Sequence, residues 1–269
     1  MQLFICGRTF FIYILILISR DLNAQTAGTW VLQGDSLHEL YDTEGAYKSY
    51  KSALDLDGEN FEALWKTADE LIELGDVLPK SADQEIKYSE AVKFARKAVA
   101  VNPDHSDGHL ILAMAIEKTA LYKSGKEKLT LLNEVKMEAQ RSLELNVQKD
   151  MAHCLIGRWN RSVINTNWLV KGMVKLIDRT IIGDASNEQA IVHFNAAIKI
   201  NGSYPPYYIE LGKTFVFMDK WNDAKGAFEK VLDIVCTSKY DRRWKRDAKS
   251  YLQLLNMQRY SDLKDAVEE

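Results

Sequence analysis

Cysteine is scarce in this chain: three in 269 residues, Cys6, Cys154 and Cys236. So few exclude the disulfide framework of a small secreted scaffold, and one bridge between Cys154 and Cys236 is the most an oxidising compartment allows. Both lie among apolar neighbours, where a buried free thiol is the commoner state. Net charge is scarce too, with 35 Lys and Arg against 38 Asp and Glu. That balance offers no basic face for nucleic acid. No glycine-rich phosphate loop, metal-protease helix or G-x-S-x-G elbow occurs, which leaves an enzyme reading without residues and implies no cofactor.

Long apolar runs are also missing. The longest, Phe10 to Ile18, has nine residues with Arg8 before it and Arg20 after it. A membrane-spanning helix needs about 20, so the run fits the middle of a secretory signal instead. The expectation is cleavage after Ala24 and export to the periplasm or the exterior. The alternative is a retained N-terminal anchor, the one case in which the chain associates with a membrane. Residues 25–34 then read as a short linker, 35–257 as the folded domain and 258–269 as a tail.

What is present is a repeat. "AYKSYKSALDLDGEN" from Ala46, "AVKFARKAVAVNPDH" from Ala91, "AIVHFNAAIKINGSY" from Ala190 and "AKGAFEKVLDIV" from Ala224 share one spacing. Each has a small residue, then Tyr50, Ala95, Phe194 or Phe228 four later, then Ala53, Ala98, Ala197 or Val231 three beyond. Steps of four and three return to one helix face, so each segment buries a small-large-small stripe. Asp57-Gly58, Asn102-Pro103 and Asn201-Gly202 then turn the chain. A second helix follows each turn and aligns Ala68, Ala113, Gly157 and Gly212, small residues that let two antiparallel helices approach closely. The pattern is that of the tetratricopeptide repeat. It predicts an all-α fold, an α-α superhelix, with two complications. "TNWLVKGMVKLIDRTII" after Asn165 reads as an inserted helix, and the basic segment around Trp244 reads as a capping helix with a polar outer face. The segment after Lys123 is expected to lengthen the next helix by burying Leu129, Leu132, Val135, Met137 and Ala139.

A narrower likeness rests on "ALWKTAD" (Ala63 to Asp69) and "AHCLIGRWNRSVINTNWLVK" (Ala152 to Lys171). A Leu-Trp-basic stretch, then Ala-His-x-x-x-Gly-Arg-Trp and a second Trp, resembles the tetratricopeptide-like domain of the regulator of microtubule dynamics family, over most of Asp35 to Leu255. The resemblance implies a helical array that binds other proteins or sits at membranes, with animal members associated with microtubules or organelle contacts. An exported chain would not meet microtubules, so the resemblance carries the fold across more readily than the role.

Three candidate sites follow. His105 and His109, at i and i+4 with Asp107 between them, have a spacing that can hold zinc. The Asn102-Pro103-Asp104 turn instead puts His105 and Asp107 at a helix start, where the dipole favours an acid. His153 and Cys154 are adjacent, and adjacent helical side chains diverge, so they form no nucleophile-base pair. The third is a groove. In stacked helix pairs the first helix of each pair lines the concave face. Helix starts at Phe61, Ser106, Asp150 and Pro205 then point Trp65, Asp69, Leu110, Met114, Arg158, Arg161, Ile209 and Lys213 inward. Acids fall in the first two helices and cations in the last two, an arrangement suited to orienting an extended peptide, with the arginines gripping a carboxylate. The expected function is non-catalytic binding of a peptide or protein. A lipid held by the apolar part of the same lining is the alternative.

Overall fold

The structure is a computed structural model, and it describes residues 26–165, 185–235 and 241–268. Twelve helices and no strand occur among them: α1 (Ala27–Glu39), α2 (Thr43–Leu56), α3 (Phe61–Asp76), α4 (Ala82–Val101), α5 (Ser106–Ala120), α6 (Gly125–Leu145), α7 (Asp150–Asn165), α8 (Asn187–Ile200), α9 (Pro205–Phe217), α10 (Trp221–Asp233), α11 (Asp241–Asn256) and α12 (Tyr260–Glu268). Successive helices pair, α1 with α2 through α11 with α12, and each pair stacks on the next. This is the α-α superhelix that the repeat spacing predicts. No described helix is long and apolar enough to cross a membrane.

The stripe residues form the contact inside each pair. Ala46, Ala91, Ala190 and Ala224 are buried, as are the residues four and seven positions after each. At four crossings the first helix presents glycine to a ring on the second: Gly34 to Tyr50, Gly75 to Tyr88, Gly157 to Phe194 and Gly212 to Phe228. A β-carbon at Gly157 would stand 2.6 Å from Phe194, and one at Gly212 would stand 2.4 Å from Phe228. The glycine is therefore a packing requirement, since it admits the ring and sets the distance between the helices.

The turns repeat as faithfully as the faces. Asp57, Asn102, Asn146 and Asn201 each end a second helix in the same extended conformation. Each also donates its N–H to the carbonyl four residues back, at 2.9, 2.9, 2.8 and 2.9 Å. Asn60, Ser81 and Ser186 then accept a backbone N–H at the start of α3, α4 and α8, satisfying one orphan donor of each helix.

The structure corrects the sequence reading at several places. Residues 27–34, expected as part of a linker, belong to α1, which opens with Thr26 and Thr29 capping each other's backbone N–H. The tail is also helical: Leu263 and Val267 of α12 are buried, and Tyr260 stacks on Trp221 at 4.3 Å. The array is thus closed one helix later than expected. In α6, Leu129, Leu132, Val135 and Ala139 are buried as expected, whereas Met137 is 59% exposed because it falls on the outer side. The expected inserted helix, with Trp168, lies outside the described residues, as do Cys236 and the apolar run of Phe10 to Ile18.

Candidate functional site: the concave face

First helices of successive pairs touch one another, α3 with α5, α5 with α7, α7 with α9 and α9 with α11, which puts them on the inside of the curve. Ion pairs run between them like rungs. Lys66 of α3 reaches Asp35 of α1 at 2.7 Å, Lys118 of α5 reaches Asp76 of α3 at 2.6 Å, and Arg158 of α7 reaches Glu117 of α5 at 2.6 Å. In each of these the cation sits on the later helix. The fourth rung reverses: Arg161 of α7 pairs with the carboxylate of Glu210 on α9 and also donates to the Glu210 carbonyl at 2.8 Å. The first two rungs carry a further link, because the Tyr50 and Tyr88 hydroxyls donate to the same Asp35 and Asp76 carboxylates at 2.8 and 2.6 Å. Each of the two glycine-acid pairs, Gly34-Asp35 and Gly75-Asp76, thereby receives a tyrosine ring and hydroxyl from one side and a lysine from the other.

Two adjoining cavities open on this face, and His38 lines both. One, of about 250 Å³, is lined by Asp35, His38, Glu39, Tyr50, Trp65, Lys66, Asp69 and Glu70. The other, of about 310 Å³, brings His38, Tyr41, Thr43, Glu73 and Asp76 together with Tyr204, Arg243 and Trp244. In the first cavity His38 Nδ1 lies 2.6 Å from Glu70 Oε1. Burial pushes the Glu70 carboxyl up to about 7, against the pull of His38. Burial disfavours charge on His38, but the Glu70 hydrogen bond and charge outweigh it and lift the imidazole above its ordinary value. Asp69 is raised to about 6 by burial and by the charge of Glu73. In both acids burial outweighs the pull of the nearby His38.

At the other end of the wall Glu210 is saturated, whereas burial raises Glu117 despite Arg158 beside it. Burial would raise Glu210, but Arg161, Arg158 and Lys213 outweigh it and bring it down to about 2. Burial lowers the Lys213 ammonium, which Glu210 and Asp247 only partly offset. Arg158 stays charged, because Glu117 overcomes the burial that would disfavour its cation.

The eight residues expected to point inward fall into three groups. Trp65 and Asp69 line the acidic cavity. Arg158, Arg161 and Lys213 belong to the basic end, where both arginines are already paired with acids of neighbouring helices. Leu110 and Ile209 are 9% and 1% exposed and belong to the core, with Met114 partly buried against it. Lining residues absent from the expected set include His38, Glu70, Glu73, Tyr204, Arg243 and Trp244. His38 is hidden in the sequence because α1 begins inside the supposed linker. A signal does exist in the recurring Gly-Asp of Gly34-Asp35 and Gly75-Asp76, each with a Tyr on the next helix.

The histidines of the other candidates have structural partners. His105 caps α5 by accepting the Asp107 N–H at 3.3 Å. His109 is held by Glu138 at 2.6 Å and by the Pro103 carbonyl at 2.8 Å, across from α6. His153 lies 3.1 Å from His193 of α8, and burial lowers both, His193 to about 4. Cys154 points away from His153 into the core, where burial pushes its thiol up to about 12. Trp159 is buried against α6, with Lys136 Nζ 4.1 Å from its ring.

Comparison with known proteins agrees with this architecture. A thermophilic TPR protein of Thermus thermophilus superposes with a TM-score of 0.59 at 16% identity, covering 82% of this chain and 98% of that one. A monomeric mutant of IFIT1 with Gppp-AAAA gives a TM-score of 0.55 at 16% identity, over 97% of this chain and 62% of that one. These likenesses show the fold. Regulator of microtubule dynamics protein 1 of Bos taurus is 24% identical over 227 residues, which cover 82% of this chain and 69% of the relative. The family model of regulator of microtubule dynamics protein 1-3 matches residues 30–256. That match corrects the expectation of export. Microtubules are polymers of the cell interior, so a periplasmic or extracellular setting does not fit a family named for regulating them. With its described helices forming a tetratricopeptide-like superhelix across the matched region, the chain belongs to the regulator of microtubule dynamics protein 1-3 family.

Proposed function

We propose that the chain is a non-catalytic scaffold that binds a segment of a partner protein in its concave face, within the microtubule regulation for which its relatives are named. The observation that carries this reading is the pair of adjoining cavities, which together run from α1 across the interior to Trp244 of α11. Extended peptides suit such a surface because alternate side chains can enter separate pockets. Charged and aromatic groups dominate the lining, which weighs against an acyl chain, and Leu110 and Ile209 of the expected apolar wall lie in the core. The ion-pair ladder supports the reading differently: it holds the inner helices in fixed register, so the groove is formed before a partner arrives.

Photo-crosslinking tests the proposal. A photo-reactive residue replacing Glu39 or Glu62, on the inner helices, should capture a partner peptide from a cell lysate, with tubulin the first candidate to probe. The same residue at Lys93 or Lys225, on the second helices, should not. Capture confined to the second helices would overturn the groove, and a lipid co-purifying in native mass spectrometry would favour the carrier.

A further inference from the structure

The acidic cavity between α1 and α3 holds more negative charge than its own cations neutralise. Asp35, Glu39, Asp69 and Glu70 line it, against Lys66 and the His38 imidazole. Lys66 is already committed, to Asp35 at 2.7 Å and to Glu62 at 3.4 Å. Glu70 supplies an independent sign. Its side chain is only 2% exposed, and while His38 takes Oε1, the buried Oε2 has no hydrogen-bond partner. An unpaired buried acceptor costs about 1–3 kcal/mol, more when charged, so its retention calls for something that completes it. Trp65 forms a wall of the cavity, and Lys66 Nζ stands 5.3 Å from its ring.

The chemistry of the missing partner is narrow. Carboxylates repel an anion, and an acyl chain would strand them without hydrogen bonds. A metal ion needs several grouped ligands, and among the described residues no three His, Cys, Asp or Glu side chains are placed to hold one. An organic cation brings N–H donors, charge and a face that packs on an indole ring.

We infer that this cavity is a docking pocket for one cationic side chain, arginine or lysine, carried by an extended segment of a partner protein. Asp69 and Glu70 accept its hydrogen bonds and Trp65 flanks it. The inference rests on the groove reading above and adds to it the charge of the partner and the point where that charge docks. The neighbouring cavity, sharing His38, takes the continuation of the segment toward Tyr204 and Trp244.

The test uses the full chain with two capped pentapeptides, Ser-Gly-Arg-Gly-Ser and its citrulline counterpart, followed by ligand-observed NMR and calorimetry. The arginine peptide should bind, and the neutral isostere should bind about tenfold more weakly or not at all. Asp69→Asn should weaken the arginine peptide by about tenfold, and Trp65→Ala by several-fold. Glu44→Gln, which removes an exposed carboxylate at the start of α2, should change nothing. Equal binding of the two peptides, no binding of either, or equal losses in Asp69→Asn and Glu44→Gln would overturn the pocket. Asp69→Asn removes a carboxylate that burial already disfavours, so circular dichroism should find it as well folded as the parent. The two readings fail distinguishably. Inner crosslinks from Glu39 and Glu62 together with equal binding of the two peptides would leave the groove standing and sink the cation pocket, whereas arginine-selective binding without any inner crosslink would sink the groove and, with it, the docking of a partner segment through this pocket.

Discussion

Asp69 on α3 and Lys213 on α9 stand at the same register, eight residues after the first residue of their helices, and both face the concavity. Lys66 and Glu210, each five residues after that start, likewise both reach back to the preceding first helix, with opposite sign. At the α9 end the acid is matched: Glu210 has Arg161 beside it and Lys213 near it, and its carboxyl falls to about 2. The α3 end is incomplete: Asp69 and Glu70 rise to about 6 and 7 because burial is not met by enough positive charge. One backbone plan thus serves two purposes. Where an acid is matched, as at Glu210, the wall contributes rigidity; where Asp69 and Glu70 stay unmatched, it forms the pocket inferred above.

The comparison breaks most forcefully at the closed end. Arg161→Met removes the paired cation of the Glu210 carboxylate, which is 12% exposed, and leaves it only Arg158 and Lys213 nearby; it should cost about 3 kcal/mol, or roughly 9 °C in Tm by calorimetry. Adding Glu210→Leu should restore most of that loss, since replacing a buried pair by apolar groups removes the stranded charge. Next is the glycine-ring contact beside it. Gly212→Ala would drive a β-carbon into the buried Phe228 ring and should destabilise by about 2 kcal/mol in urea unfolding. Gly226→Ala, on the exposed side of α10 with nothing within 4 Å, should instead stabilise by about 0.5–1 kcal/mol.

At the open end the effect reverses with pH. Asp69 has a raised carboxyl, so the fold favours its protonated form, and its contribution is most favourable below its ordinary value of 3.8. That contribution is lost as pH rises through about 6, where Glu73 on its own helix, His38 on α1 and Asp107 on α5 face it. Asp69→Asn should therefore match the parent near pH 4 and exceed it above pH 7 by about 1 kcal/mol, seen as roughly 3 °C in thermal melts. Glu210 has the opposite sign: its contribution is present above 4.5 and is lost as pH falls toward 2. Smallest of all, Lys48→Ala removes an exposed i,i+4 pair with Glu44 and should change stability by less than about 0.5 kcal/mol.

Much of the fold is legible in the sequence because it is written in spacing. Ala46, Tyr50 and Ala53 recur as Ala190, Phe194 and Ala197, and the helix starts at Phe61, Ser106, Asp150 and Pro205 follow from the turns before them. The ends are harder to read. The first helix hides behind a threonine cap and a weakly amphipathic face, and the last is a short segment whose buried pair, Leu263 and Val267, gives only one turn of periodicity. For the site, register alone finds Trp65, Asp69, Arg158 and Arg161 on the inner helices. It does not say which charges are matched, because pairing depends on the distance between helices whose partners are 41 and 49 residues apart in sequence, as in Glu117 with Arg158 and Arg161 with Glu210.

Carboxyl carbon-13 NMR of the aspartates and glutamates across a pH titration tests the contrast between the two ends most directly. Asp69 should titrate near 6 and Glu210 near 2, each assigned by its loss in Asp69→Asn and Glu210→Gln. Two carboxyls that both titrate at the ordinary carboxylate value of about 4 would contradict an open acidic end and a closed basic one.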